Sequence, residues 1–191
     1  MSHTAVVDVV VALGEPAIPL RHELWQSSVG SGHAQLGTRV DWRIHLAKAV
    51  KELGLHGIRM HGWLDDDMSV APTATPPFHW YNVNLVADYL VSLGVRPVFE
   101  LDYMPRSMAK CKGPCYYAFH NSGGYKGLLE PPAEYGQWYT LIRNLGQHLV
   151  KRYGLDEVSR WRFEVWNEPQ PWVGGVSCAQ NQSRISNPSH D

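Results

Sequence analysis

The sequence predicts an α/β fold on a parallel sheet, of the (β/α)8-barrel type, and three observations carry that expectation. Strand-like and helix-like segments alternate from about residue 24 to Pro169. Each helical segment is long enough to carry a crossover between parallel strands. Polar side chains capable of chemistry gather where strands end, at His61, Asp102 and Glu168, and that is the face on which barrels place their functional groups. No strand is followed by G-x-G-x-x-G or by G-x-x-x-x-G-K-[ST], so a doubly wound nucleotide-binding sheet is the lesser expectation.

The elements follow in order. Residues 5–11, rich in Val and Ala, read as a short strand closed by the turn signal Gly14–Pro16, within an N-terminal extension over residues 1–23. Leu24–Val29 reads as extended, with Gly30, Ser31 and Gly32 breaking it. A helix then starts at Asp41 as N-cap, with Ile44, Ala47, Val50 and Leu53 at steps of three, and Gly54 stops it. Gly57–His61 is a strand, followed by the acidic loop Asp65–Asp67 and a Pro-rich loop. A second amphipathic helix covers about Val83–Leu93, ended by Gly94, with Leu85, Val86, Tyr89, Leu90 and Leu93 on one side. "VRPVFELDYMP" is a strand, and residues 105–131 read as a long loop. The third helix, about Ala133–Tyr153, sets Trp138, Leu141, Ile142, Leu145 and Leu149 on one face and ends at Gly154; "SRWRFEVWNEP" is the last strand.

The bulk properties exclude several classes. A chain of 191 residues, 44% hydrophobic and 18% charged, forms a folded core. A net charge of −1 gives no reason to expect nucleic acid or an anionic membrane, and no apolar run reaches the ~18 residues of a membrane span. The apolar start carries Asp8 and no preceding Lys or Arg, so no secretory leader is read and a cytoplasmic location is the default. Cys111, Cys115 and Cys178 cannot all pair within one chain; the spacing of Cys111 and Cys115 in "CKGPC" allows free thiols in a loop, a loop disulfide or half of a metal site, though no second half of such a site is present.

The stretch "WRFEVWNEP" carries the chemistry. Pro169 ends strand pairing, leaving Asn167 and Glu168 at the exit. Spacing alone allows either a pair of capping side chains or a functional pair. The block resembles the acid/base signature of the retaining glycoside hydrolases of clan A. Further blocks resemble glycoside hydrolase family 39, that of β-xylosidases and α-L-iduronidases: "VGSGHA" at Val29–Ala34, "GIRMHGWLDDDM" at Gly57–Met68, "VRPVFELDYMP" at Val95–Pro105, and the run from Pro131 to Pro169. The likeness covers about residues 24–172, as strands one to four of a barrel, with residues 173–191 an irregular tail.

The resemblance implies hydrolysis of O-glycosidic bonds, β-xylosides first among them, with carbohydrate as the partner and no cofactor. It makes Glu168 the general acid/base. It gives Asn167 the sugar 2-hydroxyl and His61 a contact in the glycone subsite. Trp63 and Trp172 are candidate platforms for a sugar face. Glu100 and Asp102, two apart on one strand, read as partners of Arg59 or Arg106. Asp65, Asp66 and Asp67 read as a solvated face, and no metal is assigned.

The family's nucleophile is a second glutamate at the end of a seventh strand, on the order of a hundred residues after Glu168. Only residues 169–191 follow here. The sequence therefore predicts a barrel truncated after about the fourth strand, lacking the nucleophile. Self-association would be one way of covering its open sheet edges. Two other functions stay open: sugar binding without turnover (or an inert fragment), and a metal-dependent hydrolase using His61 and Asp65–Asp67.

Overall fold

A computed structural model describes Gly14, residues 19–110, 116–118 and 126–167. The strand expected at residues 5–11 and the tail at 173–191 lie outside the described residues.

The described chain begins with a short helix, α1 (Glu23–Gln26), where an extended stretch is expected. Strand β1 follows at Val29–His33. Gly30, Ser31 and Gly32 thus belong to the strand and do not break it. A sheet holds its strands by backbone hydrogen bonds, which glycine supplies as well as any residue, and Gly32, at φ +63°, sits where the register with β2 slips between Gly30 and His33. A 3-10 turn, Ala34–Thr38, leads into α2 (Val40–Leu53). Asp41 is not the N-cap; Arg39 is, and Asp41 sits in the first turn, accepting from the Trp42 N–H at 2.9 Å.

Strand β2 (Gly57–His61), α3 (Tyr81–Ser92) and β3 (Arg96–Glu100) fall where the sequence places them. The long segment after β3 is not all loop: β4 (Tyr116–Ala118) and β5 (Lys126–Leu128) pair as an antiparallel ribbon. Helix α4 (Tyr135–Tyr153) and a short α5 (Leu155–Val158) lead to β6 (Arg162–Glu164). Gly54, Gly94 and Gly154 end their helices at φ +66°, +72° and +83°, a conformation that penalises a Cβ.

β1, β2, β3 and β6 form one sheet in that order, all parallel. Consecutive strands are neighbours, each joined through a helix, as the sequence pattern requires. Alternation divides the strands into two faces. Ile58, Met60 and Phe99 turn to the helices, where Val83, Val86 and Leu90 of α3 and Leu141, Leu145 and Leu149 of α4 cover them. Phe99 stacks on Trp63 at 3.9 Å between ring centroids and lies 5.8 Å from Trp161. Arg59, His61, Glu100 and Glu164 share the opposite face.

Helix α2 departs from its expected stripe. Leu46 is its buried residue, while Ile44 and Leu53 are exposed. Leu53, Trp42, Leu46, Val29 and Ile58 line a groove of about 320 Å³ beside β1. Among the described residues, β1 and β6 are each paired on one side only. No described helix is long and apolar enough to cross a membrane.

Candidate active site

The polar face becomes a site because parallel strands bring their carboxyl ends to one rim. Met60 pairs with Phe99 and Glu100 with Glu164, so His61, Glu100 and Glu164 come level. Arg59, one pleat below His61, reaches both of those glutamates and Asn167 at once. Its guanidinium grips Glu164 with two bonds of 2.8 Å, Glu100 Oε1 at 2.9 Å and Asn167 Oδ1 at 2.9 Å. Planar forked geometry of this kind is what lysine cannot supply. The pairing expected between Arg59 and Glu100 is therefore present. Arg106 instead lies at Asp66, where its backbone N–H donates to Oδ1 at 3.0 Å.

His61 completes the cluster. Its Nδ1 stands 2.6 Å from Glu100 Oε2 and 3.6 Å from Asp102 Oδ2. Both carboxylates are fully buried. Asp102 Oδ1 also accepts the Gly62 N–H at 2.7 Å, tying β3 to the turn that leaves β2. Burial alone would push the His61 imidazole toward its neutral form; the adjoining Asp102 and Glu100 carboxylates outweigh it and raise its pKa to about 9. Burial likewise pushes Glu100 upward, against the pull of His61 and Arg59. Glu164 is held below the usual carboxylate range, chiefly by its bonds to Arg59.

Aromatic rings wall the site. The Tyr103 ring lies nearly parallel to His61 at 6.3 Å, and Trp166 meets Tyr103 edge-on at 6.1 Å. The β4–β5 ribbon lies against the Tyr103 ring: the Met104 N–H donates to the Leu128 carbonyl, and a Cβ on Gly127 would fall 2.2 Å from that ring, so only glycine fits.

The expected site residues meet different fates. His61 and Asn167 lie in the cluster. Glu168 and Trp172 lie outside the described residues, as do Cys111, Cys115 and Cys178. Trp63 is corrected: fully enclosed and stacked on Phe99, it is a core residue with no face for a sugar. The acidic loop is corrected too. Asp66 is exposed, but Asp65 is buried and Asp67 turns toward His33 at the end of β1, with 3.4 Å between Oδ2 and Nδ1. Burial, reinforced by the His61 charge, lowers His33 to about 4; burial, reinforced by neighbouring carboxylates, raises Asp65 to about 8 and Asp67 to about 6. The close approach of His33 and Asp65 is thus not an ion pair at neutral pH. Sequence reasoning missed Glu164, although an acid between Phe163 and Val165, on the same side of the strand as Arg162, is its signal. It also missed His33, which stands among glycines without one.

Consecutive parallel strands joined by helices, with charged groups collected at their carboxyl ends, define part of a (β/α)8-barrel protein. A family model, Glycosyl hydrolases family 39, matches residues 9–172, and the chain belongs to that family. It is 41% identical over 151 residues to a β-xylosidase of Caldicellulosiruptor saccharolyticus, covering 78% of this chain and 30% of that one. To a β-xylosidase of Geobacillus stearothermophilus it is 31% identical over 151 residues, covering 76% and 29%. The solved structure of a GH39 β-xylosidase from Caulobacter crescentus superposes with a TM-score of 0.72 at 28% identity, over 90% of this chain and 38% of that one. The chain thus spans about 30% of the length of the curated relatives it matches.

Proposed function

We propose that this chain supplies the first four strands of a retaining O-glycosidase that acts on β-xylosides. The observation that supports it most is the reach of Arg59. One guanidinium holds both Glu164, inside the last strand, and Asn167, at its exit. That grip ties β6 to the side chain of Asn167, the residue before Glu168 in the sequence.

In this reading Glu168 protonates the leaving glycosidic oxygen and afterwards takes a proton from water. Asn167, its carbonyl oxygen engaged by Arg59, has its amide N–H groups left to donate to the sugar 2-hydroxyl. His61 carries a proton at neutral pH, so its ring donates to a glycone hydroxyl while Glu100 and Asp102 hold Nδ1. Trp172 is the remaining candidate platform. In this reading the nucleophile comes from a seventh strand outside residues 1–191, while a fifth and an eighth strand cover the two edges of this sheet; a second copy of the chain is the other way of covering them.

The test is Glu168→Gln in a protein carrying the later strands. Hydrolysis of alkyl xylosides or xylobiose should fall 10²–10⁴-fold, while aryl xylosides with activated leaving groups, which need no proton, should lose far less from the glycosylation step. Equal losses on both would remove Glu168 from the acid role. Because the chain spans about 30% of its relatives, a second reading is sugar binding without turnover. Xylose quenching the Trp fluorescence of this chain, with no release from an aryl xyloside, would favour it.

A further inference from the structure

A second group of one histidine and two carboxylates lies beside the first. His33 stands at the carboxyl end of β1, paired in register with His61. Asp65 precedes the 3-10 turn Asp66–Met68, and its Oδ1 accepts the Asp66 N–H at 2.7 Å. Its other oxygen is the informative atom. Asp65 is only 2% exposed, and Oδ2 has no hydrogen-bond partner among the described residues. That oxygen faces His33 Nε2 at 3.8 Å, beyond hydrogen-bonding reach. One donor atom each from His33, Asp65 and Asp67 lie within 4.8 Å of one another.

We propose that His33, Asp65 and Asp67 bind a divalent transition-metal ion of the zinc class, clamping the end of β1 to the loop that leaves β2. A buried carboxyl oxygen without a hydrogen-bond partner is costly, and a cation that displaces the carboxyl proton is a partner that this geometry admits. The charges acting on Asp65 are other carboxylates, Asp67, Asp66 and Asp102, which favour a cation there, whereas the His61 charge felt at His33 opposes it. Two ligands bound at about 2.0–2.2 Å stand roughly 3–3.5 Å apart, so closure on an ion takes a shift of about 1 Å. One imidazole with two carboxylates suits zinc or manganese, whereas calcium wants six to eight oxygens. Asp67, at the solvent side, leaves room for water to complete the shell. The neighbouring group of His61, Glu100 and Asp102 meets the same spacing but already holds the Arg59 guanidinium. The inference is independent of the glycosidase reading.

The test is calorimetric titration of the whole chain with Zn2+, after chelator treatment and alkylation of Cys111, Cys115 and Cys178. One Zn2+ per chain should bind, with at least tenfold weaker binding in Asp65→Asn and in His33→Gln, and with Mg2+ far weaker than Zn2+. The same ion should raise the thermal midpoint of the wild type and not of these variants. Failure to take up Zn2+, or uptake unchanged by Asp65→Asn, overturns the site. If Asp65→Asn fails to fold, the more exposed Asp67→Asn decides: tenfold weaker binding supports the site and unchanged binding overturns it.

Discussion

Two clusters of the same composition lie side by side at the carboxyl rim of the sheet, and they solve the same electrostatic problem differently. His61 with Glu100 and Asp102 buries two carboxylates and answers them with a guanidinium and a protonated imidazole. His33 with Asp65 and Asp67 buries a carboxyl group with no guanidinium beside it among the described residues, and there the imidazole is driven neutral and the carboxyl upward. The difference is Arg59, one residue placed one pleat below the rim. Residue type alone therefore does not set protonation; what matters is whether a permanent cation faces the pair.

Removing that cation is the largest perturbation that separates the two clusters. Arg59→Met should cost about 2–3 kcal/mol in urea unfolding followed by Trp fluorescence, since it leaves Glu100 buried beside Asp102 and frees Glu164 and Asn167. Arg59→Lys should recover only part of the loss, because a single ammonium cannot grip Glu164 with two bonds and also reach Asn167. A loss under about 0.5 kcal/mol for Arg59→Met would erase the contrast.

A smaller effect tests the proton on His61. Its pKa is raised from 6.5 to about 9, so the folded state holds that proton more tightly than the unfolded chain does. The stability this provides is complete below about pH 6.5 and disappears as pH rises through about 9, a loss on the order of 3 kcal/mol. Asp65 also loses stability with rising pH, between its ordinary value and about 8, so the wild type should be compared with His61→Gln. The difference between the two curves should fall steadily from pH 6.5 to 9.5; a flat difference would mean that His61 is neutral in the fold.

Much of this arrangement was legible before the structure. Helices α3 and α4 follow their apolar spacing, and the glycines at 54, 94 and 154 end helices because they alone enter positive φ cheaply. Strand alternation put Glu100 and Asp102 on one side as partners for Arg59 or Arg106, and of these the pair Arg59 with Glu100 is the one formed among the described residues. What sequence could not give depends on contacts between distant segments. β1 hides behind glycines because its identity lies in backbone pairing with β2. Trp63 reads like an exposed platform until Phe99, on another strand, covers it. Three consecutive aspartates look equivalent on paper, but a single 3-10 turn sends them to three addresses.

That last point yields the smallest and most discriminating prediction. Asp66 is exposed and its carboxylate meets Arg106 through a backbone N–H at 3.0 Å and a distant side-chain contact of 3.9 Å. An asparagine keeps the acceptor oxygen and loses only a screened charge, so Asp66→Asn should change stability by less than about 0.5 kcal/mol. The same exchange at Asp65 acts on a buried carboxyl surrounded by other carboxylates, so it removes repulsion instead. At pH 9, where that carboxyl is ionised, Asp65→Asn should be the more stable of the two in metal-free buffer. If the two variants behave alike at pH 9, the acidic loop is a uniform solvated face after all, and the second cluster is no cluster.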